Sequence, residues 1–540
     1  MRRTLIVGAV GLLCAAGAVT AAAGPSQPDG PAAVACAAGT TTPTTSGPVC
    51  GILAKGAAEW LGVPYAAPPV GPLRWASPQP PTPWTETRPA TAFGNQCAQA
   101  YWSPTVSGSE VCLFLDVTRP NDGTQNLPVL VHFHGGGFVT LSGDGDYTLL
   151  ANSAHAVVVS LNYRLGIFGF LAGSALGAHS GDWGLQDQQA ALRWVRDNIA
   201  QFGGNPSNVT IYGESAGASS VCDAIASPTA AGLFQRAIAE GGEYNTLLGS
   251  PTTLETQDCK SDLPSQAEAN AAGADYADSV GCTDPAQVAD CLRSLTPQQA
   301  ETGVPYGYQD GGHGTVGPTI NGTTLTRSYR QALQTGNLNK VPLIAGSGRD
   351  ENLVGDVTTT QGYTQLVDTQ YGAHADEVLA RYPLSHFGSA AIAFRTVSAD
   401  SNTVCASLRV NAEAARWMPV HVYEIDDNDI PPYVASNPAG SAPGAQHVRA
   451  WYLTPSNPAL DANQLALQNE ELATVGQFAR NGDPVAYGTP PWPAYHRSGS
   501  SEVLSLQPAG DSELVTTEQL AAQHNCAFWD KLAPKPGEIR

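Results

Sequence analysis

Apolar residues along this chain gather in short runs rather than in long periodic arrays. Five runs are rich in β-branched residues and end in glycine or polar loops: LPVLVHFH (127–134), AVVVSLNY (156–163), NVTIYG (208–213), VPLIAG (341–346) and PVHVYEI (419–425). Few polar residues interrupt them, so both faces of each strand have to be buried, as inside a mostly parallel sheet. Between the runs the period changes. In GLQDQQAALRWVRDNIAQF, Leu185, Leu192, Val195 and Ile199 recur along one helical face, and Asn198 and Gly203 close it. This alternation predicts an α/β protein, a large mostly parallel central sheet with helices on both faces. In such sheets chemistry gathers in the loops at the carboxyl ends of the strands.

Two of those loops carry candidate chemistry. HGGGF (134–138) follows the first run. Its three consecutive glycines let backbone N–H groups approach a ligand with no side chain in the way, and such groups can hold a developing oxyanion. After NVTIYG comes Gly213-Glu214-Ser215-Ala216-Gly217, then the helix-compatible stretch Ala218–Ile225. A bare G-x-S-x-G arises readily by chance in a chain with 57 glycines. A strand before it and a helix after it are the setting a nucleophile elbow requires. Ser215 is therefore the candidate nucleophile, with Gly136, Gly137 and Ala216 as candidate oxyanion donors. A serine needs a base, and the base needs an orienting carboxylate. In chain order the acid follows the serine and the histidine comes last. VPLIAG leads into Asp350 and Glu351, and the long loop beyond PVHVYEI reaches His447 in GAQHVRAWY. His374, His386, His421, His496 and His524 lack a strand-then-loop setting, and His421, inside a strand, reads as structural.

Charge and composition narrow the partners. With 47 Asp+Glu against 26 Lys+Arg the net charge is −21, which excludes nucleic acid or anionic lipid as a partner bound through field alone. The first residues, MRRTLIVGAVGLLCAAGAVTAAAG, read as a basic region, a short apolar stretch and a small-residue cleavage site. They predict a signal peptide over 1–23, removed near Ala23, and a secreted protein with no stable membrane anchor. A Pro/Thr-rich leader over 24–48 follows, expected to be loose except near Cys36 and Cys50, and then a single domain over 49–540. Cys14 lies in the signal. The other ten cysteines are an even set in an exported chain and predict disulfides, neighbour pairing closing the shortest loops. No Cys/His cluster has zinc spacing. No metal or organic cofactor is expected, and the oligomeric state is left open.

Ordered blocks along nearly the whole chain resemble the type-B carboxylesterases, the cholinesterase-like branch of the α/β-hydrolases. They include WLGVPYAAPPVGPLRW (60–75), SEVCLFLDV (109–117), NYRLGIFGFL (162–171), FGGNPSNVTIYGESAGASS (202–220), FQRAIAEGG (234–242), RDENLV (349–354), GAQH (444–447), FARNGDP (478–484) and CAFWDKL (526–532). The resemblance implies the α/β-hydrolase fold with long loop insertions over the active site. It implies a catalytic triad of Ser215, Glu351 and His447, with Asp350 the alternative acid, and oxyanion donors Gly136, Gly137 and Ala216. It implies disulfides Cys97–Cys112, Cys282–Cys291 and Cys405–Cys526, leaving Cys36–Cys50 and Cys222–Cys259 to pair, and ion pairs Arg74–Glu110 and Arg164–Asp187.

The implied activity is hydrolysis of small-molecule carboxylic esters through an acyl-enzyme. A lipase, an esterase for a specialised choline, toxin or polymer ester, and a non-catalytic binding protein of the same fold are the competing readings. Trp102 lies in the Cys97–Cys112 loop, where cholinesterases keep a tryptophan that binds quaternary ammonium groups by a cation–π contact. Three positions depart from the family. Asn352 replaces a glycine after the acid, and Gly241 and Ala450 replace a serine and a glutamate that in relatives lie near the residue matching Glu214. A buried carboxylate needs partners, so Glu240, Glu243 or ordered water is expected to have rebuilt the surroundings of Glu214, itself a candidate substrate-binding residue.

Overall fold

A computed structural model describes residues 35–100, 105–242, 259, 263–302, 317–351, 357–427, 460–495 and 501–532. Its thirteen strands, in chain order, are β1 (Val49–Cys50), β2 (Ile52–Ala54), β3 (Ala57–Pro64), β4 (Arg88–Pro89), β5 (Phe114–Pro120), β6 (Leu127–Phe133), β7 (Val157–Leu161), β8 (Gly204–Glu214), β9 (Arg236–Glu240), β10 (Leu343–Gly348), β11 (Val420–Ile425), β12 (Glu502–Leu506) and β13 (Glu513–Thr516). Strands β1 and β4 form a small parallel ribbon, and the other strands build one 11-stranded sheet in the order β13-β12-β11-β10-β9-β8-β6-β7-β5-β3-β2. Every pairing from β7 to β12 is parallel. The antiparallel pairings lie at the two ends.

The five apolar runs became β6, β7, β8, β10 and β11, and their unbroken hydrophobicity has the expected cause. Successive residues of a strand point to opposite faces. Val129, Val131 and Phe133 of β6 enter one core and Leu130 the other; Val157, Val159 and Leu161 of β7 divide from Val158 in the same way. Helix Trp183–Asn198 covers the first face with Leu185, Leu192 and Val195, and a 3-10 turn, Ile199–Phe202, continues it to Gly203. Helix Ala216–Ala226 packs into the same core. Helices Thr148–Ala154 and Ala462–Asn481 cover the second face.

Residues from Ala35 onward belong to one compact unit. The Thr40 hydroxyl donates to the Gly51 carbonyl at 2.9 Å, and the Thr40 carbonyl accepts from the Trp60 indole at 2.7 Å. Thr40 and Thr42 are buried in this way, whereas Thr41 and Thr45 stay exposed.

Disulfides join Cys36–Cys50, Cys97–Cys112, Cys222–Cys259, Cys282–Cys291 and Cys405–Cys526. Two buried ion pairs brace the loops on the first face. Arg164 grips Asp187 through Nε at 2.7 Å and Nη2 at 2.8 Å, and Arg74 grips Glu110. No helix among the described residues is long and apolar enough to cross a membrane.

Candidate active site

Strand β8 delivers Ser215 to the carboxyl edge of the sheet. Ser215 has φ 55° and ψ −124°, a left-handed conformation rare for a residue with a side chain, and helix Ala216–Ala226 starts immediately after it. Its N–H donates to the Glu240 carbonyl of β9 at 3.0 Å, and its carbonyl accepts from the Ser219 N–H at 2.9 Å, so the turn is held from both sides. The flanking glycines are sterically required. A Cβ on Gly217 would lie 2.0 Å from the Phe133 carbonyl oxygen, and one on Gly213 would lie 2.5 Å from the Gly217 carbonyl carbon. Ser215 keeps partial exposure while Ala216 is buried. As the first helical residue, Ala216 has an N–H with no acceptor inside its own helix, at the positive end of the helix dipole.

The glycine loop after β6 closes over this turn. A Cβ on Gly135 would meet the Glu214 carboxylate at 2.7 Å and the Ser215 Cβ at 3.3 Å, so the loop backbone lies directly against the elbow. Gly136 and Gly137 have φ of 95° and 62°, and the Gly136 carbonyl accepts from Val139 and Thr140, which turns the loop back on itself. Beneath it the Tyr163 hydroxyl donates to the His134 carbonyl at 2.8 Å, and the two rings stack at 4.3 Å. Burial pushes the His134 imidazole down to about 4, so it stays neutral above that pH and adds no cation to the loop. Burial, reinforced by the Glu214 charge, pushes the Tyr163 phenol up.

The two candidate acids have different environments. Glu351 is 2 % exposed, and its Oε2 accepts the Gly348 N–H at 3.0 Å. Asp350 points into the guanidinium of Arg349, with Nη2 and Nε at 2.7 and 2.9 Å from its Oδ2. Gly241, where serine was expected from family relatives, faces Glu351 in this chain. It has φ 59°, and a Cβ there would sit 2.5 Å from Glu351 Oε1. Gly241→Ser is expected to shift the Glu351 carboxylate and, with Glu351 as the expected triad acid, to lower kcat by up to about 10-fold with little change in KM. Steady-state kinetics on p-nitrophenyl acetate measures this; an unchanged kcat would refute the contact.

Glu214 and Glu240 are register partners on β8 and β9, and Glu240 is buried. Glu240 also stands close enough to Tyr212 that its charge adds to burial in raising that phenol. A second carboxylate thus aligns with Glu214 in the sheet. Glu243, Ala450, Trp102 and His447 lie outside the described residues. His421 is buried in β11 with its Nδ1 3.0 Å from the Trp492 carbonyl, a structural contact. Sequence reasoning missed His524. It is 4 % exposed, with Asp400 Oδ1 at 2.6 Å and Glu424 Oε1 at 2.8 Å. Among the described residues no group of three or more histidine, cysteine or carboxylate side chains is arranged to hold a metal ion.

A strained serine between β8 and a helix, under a glycine loop at the carboxyl edge of a mostly parallel sheet, defines an α/β-hydrolase. The carboxylesterase family profile matches residues 38–529, and the chain belongs to that family of ester hydrolases. It is 31% identical over 524 residues to the para-nitrobenzyl esterase of Bacillus subtilis (strain 168), an alignment covering 92% of this chain and 99% of the relative. It is 30% identical to a human cocaine esterase, covering 89% of this chain and 88% of that one. It is 29% identical to the acetylcholinesterase of Bungarus fasciatus, with 88% and 83% covered. A solved PNB esterase superposes with a TM-score of 0.72 at 27% identity, over 90% of this chain and 99% of that one. A thermophilic PNB esterase gives 0.69 at 27% identity, again over 90% and 99%.

Proposed function

We propose that the protein is a secreted serine carboxylesterase acting on small-molecule esters through a Ser215–His447–Glu351 triad. Ser215 Oγ attacks the ester carbonyl carbon while the His447 imidazole takes the hydroxyl proton. Glu351 holds the imidazole in orientation and stabilises its cationic form. The carbonyl oxygen, now an oxyanion, accepts from the N–H groups of Gly136, Gly137 and Ala216, each critical donor being worth about 3–4 kcal/mol in a preorganised site. The tetrahedral carbon expels the alcohol, which leaves with the proton held by His447. Water then attacks the acyl-enzyme, giving its proton to His447 and its oxygen to the acyl group. The carboxylic acid departs and Ser215 regains its proton.

The observation that carries this reading is the left-handed Ser215, beside which Gly135 has room for no side chain. Strain of that kind persists where the surroundings enforce it, as at a nucleophile presented to substrate. Glu351 is preferred to Asp350 because Arg349 already engages the Asp350 carboxylate. The signal-like N-terminus and the five disulfides favour export from the cell.

The test is covalent. A fluorophosphonate should label one residue, mapped to Ser215 by peptide mass spectrometry, and abolish hydrolysis of p-nitrophenyl acetate in step with labelling. A label elsewhere, or hydrolysis that survives complete labelling, would overturn the proposal.

A further inference from the structure

Beside the candidate site, one guanidinium joins two turns that the proposed chemistry needs in register. Arg349 is the first residue after β10. Its backbone N–H donates to the Ile425 carbonyl at the end of β11 at 3.0 Å. Its side chain divides between two carboxylates. Nε and Nη2 hold Asp350 Oδ2 at 2.9 and 2.7 Å, and Nη1 pairs with Asp426 Oδ1. Asp350 directly precedes Glu351. Asp426 begins the segment that runs from β11 toward His447 in the sequence.

The foot of that segment at Asp426 and Asp427 is fixed by other contacts as well. The Asp426 N–H donates to the Leu506 carbonyl of β12 at 2.9 Å. Asp427 is buried, and its Oδ2 accepts from Gln464 Nε2 at 2.9 Å, on the helix that follows the segment. On the other side, the Gly348 N–H holds Glu351 Oε2 within its own turn. The foot of the segment leading to His447 is thus tied to β12 and to helix Ala462–Asn481, the backbone pairing of β10 with β11 carries the acid turn up to it as far as Gly348 and Ile425, and the Arg349 fork adds a side-chain link just beyond the last paired residues.

Stability alone does not account for this arrangement. The three side chains are partly exposed, at 30 %, 23 % and 26 % for Arg349, Asp350 and Asp426, and pairs of that kind add little to folding. What a planar guanidinium supplies is geometry, because its donors sit in a fixed fork that a flexible ammonium cannot reproduce. Catalysis is far more sensitive to such geometry than stability is, since a misplacement of about 1 Å can cost on the order of 10²-fold in rate.

We infer that Arg349 is a positioning residue that sets the spacing between the acid turn at 349–351 and the foot of the segment leading to His447, with Asp350 and Asp426 as its two anchors. This rests on the triad proposed above and deepens it, because it divides the adjacent carboxylates by role. Asp350 serves the brace and Glu351 serves the histidine.

The test compares wild type with Arg349→Met, Asp426→Asn and the double variant, using p-nitrophenyl acetate turnover between pH 5 and 9, thermal midpoints and fluorophosphonate labelling. Arg349→Met should lower kcat about 10-fold with KM within about twofold. It should also shift the acidic limb of kcat/KM, because the orientation of Glu351 and the charge balance among Arg349, Asp350, Asp426 and Glu424 change together. Asp426→Asn should do the same in smaller degree, and the double variant should be no slower than Arg349→Met, since the groups act as one unit. Arg349→Lys should recover only part of kcat. Unchanged kcat in Arg349→Met would overturn the brace, as would a loss of kcat that merely follows the thermal midpoint with the acidic limb unmoved and the double variant additive. The two readings fail separately. A wild-type protein whose Ser215 takes no label removes the triad and the brace together, whereas a labelled wild type with an indifferent Arg349→Met removes the brace alone.

Discussion

Ser215→Ala is expected to lower kcat for p-nitrophenyl acetate by at least about 10⁴-fold, and His447→Ala by a similar factor. The two losses should not multiply. Without the hydroxyl there is no proton for the base to take, and without the base the hydroxyl is a poor nucleophile. The double variant should therefore be about as slow as the worse of the two single variants. What remains in all three should be a residual rate from substrate binding and from the backbone donors of Gly136, Gly137 and Ala216, which none of the substitutions touches. Folding should be barely affected at Ser215, since alanine keeps the Cβ and removes only the partly exposed hydroxyl. Thermal midpoints measured beside the kinetics separate lost chemistry from lost structure. Multiplicative losses would mean that the two residues act independently and would remove the serine–histidine pair from the mechanism.

The candidate nucleophile was legible in sequence because its requirements are local. A left-handed serine needs glycines at set positions on either side, and those glycines are visible as letters, as is the buried strand ahead of them. The central strands were legible because burial on both faces removes polar residues from whole runs, as in β7 and β11. The short strand β9 was not singled out as a strand, although its Glu240 carbonyl accepts from the Ser215 N–H of the elbow. Arg236 and Glu240 at its ends make it read as an amphipathic fragment, and only the register with β8 and β10 gives those charges a place. The preference for Glu351 over Asp350 came from the family resemblance rather than from a local pattern, and the hold of Arg349 on Asp350 adds support to it. Gly241 was noticed as a departure from the family but assigned to the surroundings of Glu214. Its contact with Glu351 depends on how β9 and β10 leave the sheet together, which no local pattern encodes.

His524 is the clearest case of a residue that sequence could not interpret, and it carries the largest expected effect on stability. It lies in no motif, and it meets Asp400 and Glu424 only because the π-helical segment Ala399–Val404, strand β11 and the C-terminal helices converge around it. Asp400 is further held by the Tyr382 hydroxyl at 2.7 Å and by Asn525 Nδ2 at 3.2 Å, and the Cys405–Cys526 disulfide lies alongside. Burial alone would depress this imidazole, but the hydrogen bonds and charges of Asp400 and Glu424 outweigh it and hold the group up to about 10.

The folded value thus lies above the unfolded one. The stability His524 contributes is fully present below about pH 6.5 and is lost as pH rises through about 10. His524→Ala leaves two carboxylates buried without their cation, which should cost about 3–5 kcal/mol at neutral pH. Other buried groups also weaken the fold on the alkaline side. Asp116 and Asp223 are raised to about 8, chiefly by burial, so their contributions too fade as pH rises through that value. The measurement is therefore a difference, the unfolding free energy of wild type minus that of His524→Ala from pH 6 to 10.5. It should be largest near pH 6–7 and shrink steadily toward pH 10, as wild type loses the same cation that the variant lacks. A difference that stays constant across the range would mean that His524 packs there as a neutral ring, and would remove the charged clamp.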